Sequence, residues 1–215
     1  MTFYDELQIK TQDAREALFA IPIIQNALQG RITKTQYLAF LKEAFHHVKH
    51  TVPLLKACEA KVSDEYTWLK EGMHHYIEDE TGHEEWILND IHHAGGNKEN
   101  IRQSSPHITT ELMVADAYYQ IYQSNPVGFL GMVFVLEGTS IAIATHAAEA
   151  MQKSLKLPEE AFTYLTSHGS LDLTHIEFFK TLVNQFTKKE DQLVVIDCAN
   201  KFYSLYGNIF KHLPM

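Results

Sequence analysis

Residues 126–145, PVGFLGMVFVLEGTSIAIAT, contain a single charged side chain, Glu137. A run this long and this apolar could cross a bilayer. The central acid argues against that, as do the hydroxyl residues, the glycines and the lack of nearby lysine or arginine, because intramembrane acids are rare. The segment reads instead as the central helix of a bundle. An unpaired carboxylate in such surroundings costs several kcal/mol or gives up its charge (roughly the penalty for burying an isolated polar or ionised group). Glu137 therefore needs something cationic opposite it, and the candidates are a basic side chain, a proton or a metal.

Outward from this helix, apolar residues recur at helical spacing and no alternating strand appears. The pattern predicts a helix over 11–28 that Gly30 ends. A second runs from Thr33, its cap, over 34–62, with Tyr37, Phe40, Leu41, Ala44, Phe45 and Val48 as its stripe and a break near His50 caused by Pro53. A third continues from Ser63-Asp64 to His93 and stops at Gly95-Gly96. Residues 95–107, GGNKENIRQSSPH, read as a polar loop. Helices over 109–123 and 126–153 follow, then one opened by Leu157-Pro158 and divided near Gly169 from another over 171–186. The last covers 191–210. The expectation is one all-α domain over residues 1–215, a bundle of about seven helices.

Bulk properties narrow the function. At 215 residues the chain can bury a core without staples. Its formal charge of -9 argues against nucleic acid and against an anionic membrane surface as partner. The cysteines, Cys58 and Cys198, sit in no metal or redox spacing, which points to a reducing, cytoplasmic compartment. No charged start followed by an apolar core marks the first residues as a signal peptide. Histidine is abundant, at 13 residues against 18 lysines and arginines, and it is the commonest metal ligand.

Three further segments carry oxygen and imidazole donors one turn apart. Glu80 and His83, in HHYIEDETGHEEW, are three residues apart and share a face with Tyr76 and Ile87. A solvated acidic face with a stray histidine would look much the same. His168, Asp172 and His175 stand at i, i+4 and i+7 among Leu165, Leu171, Ile176 and Phe179, a spacing that can chelate one metal or reach towards a second. A histidine–aspartate hydrogen bond beside a surface histidine is the plainer alternative. Glu43 lies on the apolar side of the second helix with His47 and His50, and is the candidate for a fourth carboxylate. His46, His47 and His50 have no settled role, and His146 is the least secure of the histidines read as surface or packing residues. Tyr118, Tyr119, Phe129, Phe134 and Phe179 are candidates to line a pocket, though each is singly a better core residue.

Glu43, Glu80, His83, Glu137, His168, Asp172 and His175 together give the donor balance of a non-haem di-iron or di-manganese site in a helical bundle. A single Glu-x2-His followed by His-x3-Asp-x2-His departs from the ferritin-like pattern of two Glu-x2-His copies. The order Glu, Glu80-x2-His83, Val135-Leu136-Glu137-Gly138, then His168/Asp172/His175 resembles the haem-oxygenase-like di-iron oxidases of the TenA/PqqC-type superfamily. That resemblance runs over about 11–210 and is weakest at Glu43. It implies a bundle of seven to eight helices with two irons at its centre, manganese being the alternative, held by those seven residues. It further implies O2 activation, oxidation of a small organic substrate, and a homodimer. A cofactorless TenA/PqqC-like enzyme or a ligand-binding bundle without metal catalysis is the alternative. Thiaminase-type TenA chemistry is disfavoured because neither cysteine lies in the central helix, and four inward carboxylates would make a poor haem pocket.

Overall fold

In the computed structural model, residues 1–214 are described, the side chains of residues 169–174 excepted. The helices in chain order are α1 (Phe3–Lys10), α2 (Gln12–Phe19), α3 (Pro22–Leu28), α4 (Lys34–Val48), α5 (Thr51–Lys61), α6 (Thr67–Glu80), α7 (His83–His93), α8 (Lys98–Arg102), α9 (Ile108–Gln123), α10 (Phe129–Leu155), α11 (Thr163–Val183) and α12 (Lys189–Lys211), with no strand among the described residues.

The all-α expectation holds; α1, opened by a Thr2 capping box, precedes the first expected helix, and most of the other extra helices arise from breaks whose causes are local. The segment read as 11–28 divides at Pro22, which starts α3 at the position where its missing N–H costs nothing. The long second helix parts into α4 and α5 around His50, with Pro53 in the first turn of α5. The third divides at Gly82, whose φ of 94° is closed to most side chains, so Glu80 ends α6 and His83 begins α7. In the reverse sense, α11 is continuous through Gly169. The segment read as a polar loop contains α8, which Asn97 caps. Thr33 caps α4 as expected, and Gln36 completes a reciprocal capping box.

Helix α10 is the axis of the bundle. Of its most apolar stretch, 67% is buried inside the fold, which accounts for its membrane-like hydropathy. It lies along α11 and α12, with α3 and α9 also against it. Gly131 permits the close approach to α12, since a Cβ there would stand 2.5 Å from the Ala199 amide nitrogen. Gly72 does the same for α6 against α11, where a Cβ would meet Leu182 at 2.4 Å. Two clusters of buried side chains result. The larger joins Tyr76, Phe134, Phe179 and Phe202, and the smaller gathers Tyr37, Leu41, Ile87 and Phe162 around α4 and α7. The candidate site lies where α6, α7, α10 and α11 converge.

Candidate metal centre

Glu80, His83, Glu137 and His175 are each less than a tenth exposed. The break at Gly82 does not separate Glu80 from His83: His83 Nδ1 donates to Glu80 Oε2 at 2.9 Å. The His83 ring is held by stacking on Trp86 at 4.0 Å and meets the edge of His168 at 4.9 Å. Donor atoms of Glu80, His83 and His168 all lie within 4.8 Å of one another. On the other side of Glu80, His175 Nδ1 stands 3.8 Å from its Oε1 and 3.9 Å from Glu137 Oε1. The two oxygens of Glu80 thus face two different histidines, and Glu137 closes the second group. Asp172 falls outside the described residues.

Supports surround these donors. His175 Nε2 donates to Asp79 Oδ2 at 3.3 Å, which turns Nδ1 towards the glutamates. The Tyr76 hydroxyl donates to Glu137 Oε2 at 3.4 Å. Asp90, fully buried on α7, accepts from the backbone N–H groups of Thr163 and Tyr164 at 3.1 and 2.9 Å and from the Thr163 hydroxyl. It therefore caps α11 and ties the helix carrying His168 to the helix carrying His83. Burial pushes the Asp90 carboxyl up to about 6 in spite of those donors.

Among the described residues, the ion-pair partners of Glu80 and Glu137 are histidines, with no lysine or arginine. Glu43 is placed differently. It is buried on α4, but its Oε2 accepts from the His107 N–H at 3.0 Å and the Thr110 hydroxyl at 2.5 Å, which caps α9, and Lys42 lies 3.6 Å from Oε1. None of its described polar contacts is with the cluster. The amides at the start of α9 need an acceptor, and a carboxylate there also meets the positive end of the helix.

A cavity of about 170 Å³ runs from this cluster into the bundle. Glu80, Glu137, His168 and Tyr76 border one part of it; the rest is aliphatic and aromatic, including Ile24, Leu28, Phe40, Met132, Leu136 and Phe210. Of the aromatics expected to line a pocket, only Phe129 does so. Phe134 and Phe179 are core, Tyr119 is 59% exposed, and the Tyr118 hydroxyl meets His50 Nδ1 at 3.3 Å. His47 also lines the cavity, its ring edge-on to Tyr206. Burial, with His168 nearby, holds its imidazole down to about 3, so it is neutral. His46 instead meets Ser104 and Lys49, and His146 is exposed. Periodicity located Tyr76 on the face of Glu80. It had no means of finding Asp79, one residue from Glu80 on a turned face and 38% exposed, whose part depends on where α11 comes to lie.

The fold and the cluster define a haem-oxygenase-like helical bundle with a candidate metal site at its centre. The chain belongs to the iron-containing redox enzyme family, whose model matches residues 38–207. No curated protein matches it. Among solved structures it is similar to a domain of unknown function with a haem-oxygenase-like fold from Shewanella denitrificans, with 24% identity over 98% of this chain and 91% of that one and a TM-score of 0.88. It is also similar to a TenA homologue from Pseudomonas syringae, at 11% identity over 98% and 92% of the two chains and a TM-score of 0.80. A haem oxygenase from Synechocystis, solved with haem, matches at 12% identity over 99% and 92%, with a TM-score of 0.77. At these identities the likeness is one of fold.

Proposed function

We propose that this protein is an O2-dependent oxidase or oxygenase that holds two irons, with manganese as the alternative metal, and acts on a small, mainly apolar organic substrate. The observation that carries the proposal is the convergence of two buried glutamates and three histidines at one part of an apolar cavity, with no lysine or arginine among the described residues paired to the acids. Carboxylate and imidazole donors in this proportion suit iron or manganese, and match the description of the family. Glu80, His83 and His168 would hold one metal, and Glu137, Asp172 and His175 the second, with Glu80 facing both. Glu43 is left out of this set because its carboxylate already serves α9.

The chemistry a bound metal pair supplies is Lewis acidity and the electrons that reduce O2. The protein's own part is orientation and exclusion. Asp79 keeps the proton on His175 Nε2 and so fixes which nitrogen faces the metals. Tyr76 donates to Glu137 and orients its carboxylate. The aliphatic walls hold the substrate beside the metal ligands and keep water from them. The test is O2 uptake by iron-loaded protein across a panel of medium-chain alcohols, amines and acids. Substrate-dependent uptake that is absent in Glu137→Gln supports the proposal, and uptake equal in both proteins rejects it.

A second reading, a cofactorless TenA/PqqC-like enzyme or binding protein, is favoured by the same pair of acids. Without a metal, Glu80 and Glu137 would receive a cationic amine. Under that reading an amine binds the metal-free protein tightly, and added iron competes with it. The small-molecule partners, the cytoplasmic location and a homodimeric assembly belong to this proposal as well, as does the absence of nucleic acid or membrane partners.

A further inference from the structure

Three polar groups lining the cavity have no hydrogen-bond partner among the described residues: Nδ1 of His47, Oγ1 of Thr139 and Oγ of Ser140. Thr139 and His47 are only 4% and 3% exposed, so bulk water does not serve them. A serine or threonine inside a helix ordinarily satisfies its hydroxyl on the carbonyl four residues back, and neither does so here. Buried polar groups are almost always paired, and orphans that line the same cavity mark groups a ligand in it can complete. His47 lies on α4 with His168 nearby, and Thr139 and Ser140 lie two and three residues beyond Glu137 on α10.

We infer that His47, Thr139 and Ser140 form a recognition subsite for an uncharged hydrogen-bonding group, a hydroxyl or amide, carried by an otherwise apolar substrate close to the carbon that is oxidised. The inference rests on the proposed reading of the cavity as a substrate site and adds the substrate's class to it. The group is uncharged because none of the described residues lining the cavity is a lysine or arginine that could balance an anion. A cation would be drawn past the subsite to Glu80 and Glu137. The chain attached to the group is apolar because the remaining wall is aliphatic and aromatic. A site built to hydrogen-bond a hydroxyl rejects an isostere lacking it far more strongly than an apolar pocket rejects an extra methylene.

The test uses the full chain, stripped of metal by chelator, so that its result is independent of iron content. Binding of 1-octanol, 1-chlorooctane, octylamine and octanoate is measured by calorimetry to the native protein, to Thr139→Val/Ser140→Ala and to His47→Phe, with helicity checked by circular dichroism. The expected result is 1-octanol binding at least about tenfold tighter than 1-chlorooctane. That preference falls to near parity in each variant, while the affinity for 1-chlorooctane holds. Thr→Val and Ser→Ala preserve shape, so that variant keeps the test decisive if the histidine replacement perturbs folding. Equal affinity for alcohol and chloride in the native protein overturns the inference, as does no binding of any of the four. Tighter binding of octanoate also overturns it, as does octylamine binding that weakens in Thr139→Val/Ser140→Ala, since either places a charged group at the subsite.

Discussion

Glu43 and Glu80 are equally buried acids on apolar helix faces, yet their partners separate them. Glu80 faces imidazoles, whereas Glu43 faces the amide and hydroxyl donors that open α9. Replacing Glu43 with Ala strands those donors and is expected to cost about 1–3 kcal/mol in urea unfolding while leaving iron content unchanged. Loss of iron with the fold intact would return Glu43 to the ligand set. Asp79→Asn weakens the hold on His175 Nε2, and the expected effect is about a 10–100-fold loss of iron affinity with little change in stability. Sequence spacing brought out Glu80, His83, Glu137, His168 and His175, because helical phase and apolar neighbours mark an inward donor. Glu43 passes the same test, and helical phase does not tell an inward acid that binds a metal from one that caps a helix in another part of the chain.

At the scale of the elements, the donors are set by where helices begin and end. Glu80 and His83 were legible as a pair at i and i+3 of a single helix; the structure makes them the last and first residues of two, joined through Gly82. A Cβ at Gly82 would meet nothing within 4 Å, so its φ of 94° is the sole obstacle to a side chain there. Gly82→Ala is therefore expected to cost about 1–2 kcal/mol of backbone strain and to weaken iron binding by displacing His83 against Glu80. Unchanged stability together with unchanged iron affinity would show that the turn tolerates alanine. Proline marked the break near 50 and glycine the ends at 30 and 95, because both act through their own backbone; the break at Pro22, inside a segment read as one helix, went unread. The break at Gly82 lay inside an uninterrupted apolar period and so was hidden.

For the molecule as a whole, the same burial that builds the cavity makes the fold sensitive to acid. His46 and His47 are held down to about 4 and 3, and His50 is also lowered, in each case chiefly by burial. These folded-state values lie below those of the unfolded chain. As pH falls below about 6.5 the unfolded state takes up protons that the folded state refuses, and stability declines, by about 1.4 kcal/mol per pH unit for the fully buried His47 and by less for His46 and His50. Asp90 works in the opposite direction. Raised to about 6, it favours the folded state as pH falls from 6 towards the ordinary carboxylate range. Three histidines outweigh one carboxylate, so unfolding free energy should be clearly lower at pH 4.5 than at pH 7, with a shallower decline in His47→Phe. A flat profile over that range would contradict the burial of these imidazoles as neutral groups. The bundle itself was readable from helical period and from the one acid in residues 126–145. The cavity was not, because its walls come from helices far apart in sequence and a lining phenylalanine shows the same pattern as a packed one.

The central claim is that the buried acids and histidines hold a pair of metals. Its most direct test is the iron content of protein loaded anaerobically with ferrous iron, measured beside Glu137→Gln at matched stability. About two irons per chain, with at least one lost in the variant, is the predicted result. No iron retained by the native protein, or equal retention by both, would contradict the claim and leave a metal-free binding cavity in its place.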